Sequence, residues 1–295
     1  MGFVPAVEYE ERNIHKLLSY AILMLWLMTF VMSGIAFYMY MGAQEYVEKF
    51  YIRSLLLEQA KIFLVQAISG ILWFIVTLYI FISTITVEKK EKYNILSGVM
   101  FLASGVVELI VAIYLLQVRS ELIYIAQRLP ILTLAELRTR LARIMKLTIL
   151  LALVSSIAIS ISIGMAFIFI GLSIKKTVMS LEMEVRRLID TLKIEHQYIY
   201  FAYATPTNMV AYGVRRMMDG LKKMRSGGTI YIVSGVMDIL SILMPFLWTI
   251  SFILFIIGMF LVNSGRKMFE EGRRLVMGVR VPEQEGFKVS EHGEA

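Results

Sequence analysis

The chain has 295 residues, of which 58% are apolar, and its mean hydropathy is +0.70; soluble globular domains hold about 45–50% apolar residues even with glycine counted. The 30 Lys and Arg against 23 Asp and Glu leave a net charge of +7, but these cations sit between and beside long apolar runs, where they meet lipid headgroups rather than nucleic acid. There is no cysteine, which excludes disulfides, iron–sulfur clusters, thiolate metal sites and cysteine nucleophiles together.

Apolar runs of this length must pair every backbone N–H and C=O within themselves once they leave water, so they form helices. The sequence therefore predicts an all-α integral membrane protein, a bundle of five or six transmembrane helices with amphipathic helical connections. A content of four Asn and seven Gln fits a thermophilic source and equally fits membrane spans in general.

The leading segment carries Glu8, Glu10 and Glu11, unlike the basic start of a cleavable signal peptide, so the first run is expected to remain as an anchor. That run, 17–41, holds no charge. The second, 62–87, ends at Glu88-Lys89-Lys90-Glu91-Lys92. The third, 95–116, encloses Glu108. The fourth, 147–174, closes on Lys175 and Lys176. These four make a membrane region over 1–174. Between the third and fourth, Thr133 and Glu136 form a capping box ahead of Leu137, Leu141 and Ile144, which predicts a helix start.

Residues 175–228 read as an amphipathic helical arm or hairpin outside the bilayer, with Leu181, Val185 and Leu188 followed by Val210, Val214, Met217, Leu221 and Met224 at spacings of three and four. The apolar stretch 229–263 admits two readings: one long helix kinked at Pro245, or a helical hairpin that turns there. The kinked helix is preferred, because Met244-Pro245-Phe246 offers no polar residue for a turn in water. A polar tail, 264–295, completes the chain.

No phosphate-binding loop, nucleophile elbow or His-Glu-x-x-His motif occurs. His15, His196 and His292 all fall outside the apolar runs, so neither intramembrane haem nor zinc is expected, and no other cofactor. The candidates for chemistry are two carboxylates. Glu108 lies inside an otherwise uncharged run, where a charge costs about 2.5–3.5 kcal/mol on insertion scales. It is either a proton or cation site or a neutral side chain bonded to a serine or to Gln66 on a neighbouring helix. Asp238 is the second candidate, at a depth set by where its helix begins.

Small residues mark expected packing faces, because they let helices approach closely. Ser-Gly neighbours recur at Ser33-Gly34, Ser69-Gly70, Ser97-Gly98, Ser104-Gly105 and Ser234-Gly235, and Ala152, Ser156, Ser160 and Gly164 recur every four residues. The hexamers 95–100 and 232–237 match in pattern, hinting at duplication. Arg215, Arg216, Lys222 and Lys223 form a basic face for anionic lipid or a partner. The expected function is that of a non-catalytic structural, accessory or scaffold protein of the cell membrane, packing with itself or with other membrane proteins. The alternative is a channel or proton- or cation-coupled transporter using Glu108. Arg12 and Lys16 before the first run place the N-terminus, and with it 175–228, in the cytoplasm.

Overall fold

A computed structural model describes residues 52–86, 91–192 and 209–278. Among these residues the chain is all helical, in five elements: α1 (Ile52–Ile85), α2 (Lys92–Arg128), α3 (Leu134–Leu192), α4 (Met209–Leu240) and α5 (Leu247–Gly278). Four of them, α1, α2, α3 and α5, are long and apolar enough to cross a membrane. The run 17–41 with Ser33 and Gly34, the loop around His196 and the tail beyond 278 lie outside the described residues.

Several small polar side chains are buried within the helices. Thr77, Thr84, Ser97 and Ser104 each turn the hydroxyl back to donate to the carbonyl three residues earlier, at 2.7–2.9 Å, which satisfies a group that costs free energy when buried unpaired. α3 starts at the capping box: the Glu136 N–H donates to Thr133 Oγ1 at 3.3 Å, and Glu136 Oε2 accepts from the Thr133 N–H at 3.1 Å. α3 then continues for 59 residues, about 88 Å at 1.5 Å per residue.

The stretch 229–263 is not one helix. α4 ends at Leu240, and a turn over 241–246 leads into α5. Two local causes combine here. Pro245 has no N–H to continue a helical ladder and disfavours helical backbone at the residue before it. Ser241 donates its hydroxyl to the Asp238 carbonyl, competing with the ladder. The turn, apolar from Ile242 to Phe246, closes on backbone bonds such as Leu247 N–H to the Met244 carbonyl at 2.9 Å.

Two compact units are present, Met1–Ala166 with Gly235–Leu247, and Phe167–Ser234 with Trp248–Ala295. In the first, α1 and α2 pack side by side. Around their ends Leu56 and Ala60 of α1, Val118, Leu122, Ile125 and Ala126 of α2 and Ile144 of α3 form a core, with Leu137 and Leu141 packed on it. The amphipathic start of α3 thus buries its apolar face on this pair. In the second unit, Phe167 of α3 stacks on Phe255 of α5 at 5.1 Å, and the Tyr231 ring of α4 meets Phe255 edge-on at 5.5 Å. All three rings are buried.

Candidate functional site

The small residues are organised at intervals of seven. In the second unit, a methyl placed on Gly265 would meet the Gly220 carbonyl oxygen at 2.5 Å, and one on Gly227 the Gly258 oxygen at 3.0 Å. Gly272 and Gly213 face each other in the same way. Seven residues beyond Gly227, Ser234 continues the series and meets Ser251, seven before Gly258. Ser234 Oγ donates to the Ser251 carbonyl at 2.8 Å, and Ser251 Oγ to the Ser234 carbonyl at 2.9 Å. Each step of seven along α4 is matched by a step of seven back along α5, so the two helices run antiparallel in fixed register.

The same device recurs twice. Gly171 of α3 stands against Gly228 of α4 in the second unit, with 2.5 Å from the added methyl to the Gly228 oxygen. Gly164 stands against Gly235 in the first unit, with 2.6 Å to the Gly235 oxygen. In the α1–α2 pair the partners are Gly98 with Thr84, Gly105 with Thr77 and Gly70 with Ala112. A seven-residue period keeps one seam turned toward its partner along two gently supercoiled helices. With glycine on the seam the backbones touch directly, and dispersion is gained where no hydrophobic drive would exist in lipid.

Of the expected packing residues, Gly70, Ser97, Gly98, Gly164, Ser234 and Gly235 are buried, while Ser69 and Ser160 are half-buried. Ala152 and Ser156 are exposed. A spacing of four residues rotates by about 40° per step around a helix of 3.6 residues per turn, so a stripe of four leaves the seam that Gly164 occupies. Both matching hexamers put their glycine on a seam, Gly98 against Thr84 and Gly235 against Gly164. Trp73 donates its indole N–H to Ser104 Oγ at 3.2 Å.

Glu108 is half-buried and lies over the gap left by Gly70: a methyl on Gly70 would stand 2.8 Å from the Glu108 carbonyl oxygen and 3.4 Å from its Oε2. Among the described residues no hydrogen bond joins its carboxylate to a serine or to Gln66, whose side chain is exposed. Asp238 is 1% exposed, and its Oδ1 has no hydrogen-bond partner among the described residues. It sits four residues after Ser234 and three after Gly235, on the side of α4 between the two seam positions. No hydrogen bond connects Glu108 with Asp238. No group of three or more acidic or histidine side chains gathers as a metal site among the described residues.

The basic face of α4 is partly engaged. Arg216 donates to Glu271 Oε2 through Nε at 3.1 Å and Nη2 at 2.6 Å, and Lys223 reaches Ser264 Oγ at 3.4 Å. Lys222 is exposed and Arg215 half-buried. Arg225 pairs with Glu182 of α3 at 2.7 Å. These pairs lie on the charged parts of α3, α4 and α5. No protein family, curated protein or solved structure matches this chain.

Proposed function

We propose that this is a multi-pass protein of the cell membrane that serves as a non-catalytic scaffold. On this reading the run 17–41, α1, α2 and the apolar part of α3 each cross the bilayer. The α4–α5 hairpin enters and returns on one face, since the 12 residues of 229–240 reach only about 18 Å, short of about 30 Å of hydrocarbon. Its exposed apolar tip, with Leu243 79% and Phe246 60% accessible, suits lipid rather than water. The N-terminus, the loop 88–94, the arm 175–228 and the tail then share one side, which gathers 21 of the 30 Lys and Arg. That excess makes this side cytoplasmic.

The observation that carries the scaffold reading is the unbroken length of α3. Its 59 residues reach about 88 Å, nearly three times the thickness of the hydrocarbon. Beyond Lys175, Glu182 of α3 pairs with Arg225 of α4, and α4 is bound in turn to α5 by glycine against glycine. The glycine seam leaves α4 and α5 no side-chain layer on which to slide, and with α3 they form a stiff cytoplasmic rod. Such a rod suits a second copy of the chain or another membrane protein as its partner, and its surplus of Lys and Arg suits anionic lipid nearby. Purification in mild detergent is the test: an ordered oligomer or a stoichiometric partner supports it, and solute or ion flux through the protein alone in liposomes overturns it.

One observation favours a second reading, a channel or proton- or cation-coupled transporter. Asp238 is fully buried with an unpartnered carboxylate oxygen, and Glu108 lies across the gap at Gly70. If these groups carry protons or cations, Glu108→Gln or Asp238→Asn abolishes a measured flux while thermal stability holds or rises, since a costly acid is gone. Flux that both variants leave intact removes this reading.

A further inference from the structure

We propose that one end of the α1–α2 pair holds a groove for the headgroup of a single anionic phospholipid, read by Arg119. The groove has a volume of about 340 Å³. Leu57, Ala60 and Leu64 of α1 and Ile123 of α2 give it apolar walls, and Lys61 and Arg119 stand at it as cations. Arg119 is the first charge on α2 after the apolar run 95–116, and Lys61 is the last on α1 before 62–87. The inference rests on the membrane reading, under which this level is where hydrocarbon gives way to headgroups.

The charges at the groove are unequally committed. Glu58, also in its lining, holds Lys61 at 2.6 Å. Arg119 is half-buried and has neither an ion pair nor a hydrogen bond with a described residue. A guanidinium presents a planar fork of donors that matches two oxygens of a phosphate and is more weakly hydrated than an ammonium, so it gives up water for that contact readily. From Lys61, steps of seven along α1 reach Ile68 and Ile75, both exposed. A lipid whose phosphate sits on Arg119 can lay an acyl chain along that line. A soluble phosphate gains nothing from the apolar walls or from this line, which is why the occupant is a lipid.

The test is intact-complex mass spectrometry of the full chain in mild detergent, titrated with phosphatidylglycerol, phosphatidylcholine or inorganic phosphate. The wild type should retain one phosphatidylglycerol saturably and bind phosphatidylcholine about tenfold more weakly, and millimolar phosphate should not displace the lipid. Arg119→Gln should weaken phosphatidylglycerol about tenfold, the scale of one charge-assisted hydrogen bond. Leu57→Trp, which fills the groove and keeps every charge, should weaken it as well, and decides alone if Arg119→Gln does not fold. Arg128→Gln, whose side chain instead covers the Tyr124 ring at 4.7 Å, should bind as the wild type. Unchanged binding in both groove variants, equal affinity for phosphatidylcholine, or displacement by phosphate overturns the proposal. Release of the chain from membranes by alkaline carbonate overturns the membrane reading instead.

Discussion

The α1–α2 and α4–α5 pairs are both antiparallel and both in seven-residue register, yet their seams are built differently. Along α4–α5, glycine faces glycine at three successive steps and serine faces serine at the fourth. Backbone meets backbone, and the nearest atoms to any added methyl include carbonyl oxygens and amide nitrogens. Along α1–α2, a threonine fills the space opposite Gly98 and Gly105. Its hydroxyl is already bonded to its own helix, at 2.7 Å for Thr84 and 2.9 Å for Thr77. The first design tolerates no change of volume. The second has a side chain that can turn aside, at the cost of its hydrogen bond.

The largest expected effect follows from that contrast. In Gly265→Ala the new methyl would stand 2.5 Å from the Gly220 oxygen and 2.8 Å from the Met224 nitrogen, so the helices must separate. Overpacking costs about 1–3 kcal/mol, against about 1 kcal/mol gained in helix propensity. A net loss is expected, seen as a lower melting temperature in detergent. Gly98→Ala meets only Thr84, so the same gain should nearly offset its cost, and its melting temperature should stay close to that of the wild type. Equal losses at the two positions would erase the distinction between the seams.

A smaller effect is expected at the serine step. Ser251→Ala deletes the donor to the Ser234 carbonyl, and interhelical bonds of this kind are worth about 0.6 kcal/mol on average and up to about 1.7 in a membrane protein. Ser234→Ala should cost the same within error, because the two bonds are reciprocal; a threefold difference would show that the pair is not symmetric. The smallest effect is expected at Arg216→Ala. Its pair with Glu271 is accessible, with side chains 33% and 54% exposed, and such pairs contribute about 0.2–1 kcal/mol. If this exposed pair outweighed the glycine seam, the charged ends rather than the backbone contacts would hold α4 to α5.

The helical character and the apolar runs were legible in the sequence because length and composition decide them. The capping box at Thr133 and Glu136 was legible as well, since its two bonds involve neighbours along the chain. The seams were harder to see for a particular reason. Adjacent Ser-Gly pairs include Gly98, Gly227, Gly235 and Gly265, but Gly213, Gly220, Gly258 and Gly272 have no serine before them and reveal themselves only at intervals of seven along two segments read in opposite directions. At Pro245 the apolar sequence admits a kinked helix or a hairpin, and the described helices end at Leu240 and begin again at Leu247. A turn that lies against lipid needs no polar residues, provided its backbone groups bond one another, as those over 241–247 do. Glu108 and Asp238 stood out as charges in apolar surroundings, but the gap at Gly70 that receives Glu108 depends on a second helix.

The central claim is that α4 and α5 form a hairpin that enters and leaves the bilayer on one face. The chain has no cysteine, so single cysteines can be introduced at Ser226, Lys267 and Ser120, all exposed, and labelled in sealed cells or inverted vesicles with a membrane-impermeant maleimide. The account predicts that Ser226→Cys and Lys267→Cys react from the cytoplasmic side and Ser120→Cys from the other. Labelling of positions 226 and 267 from opposite sides would contradict it.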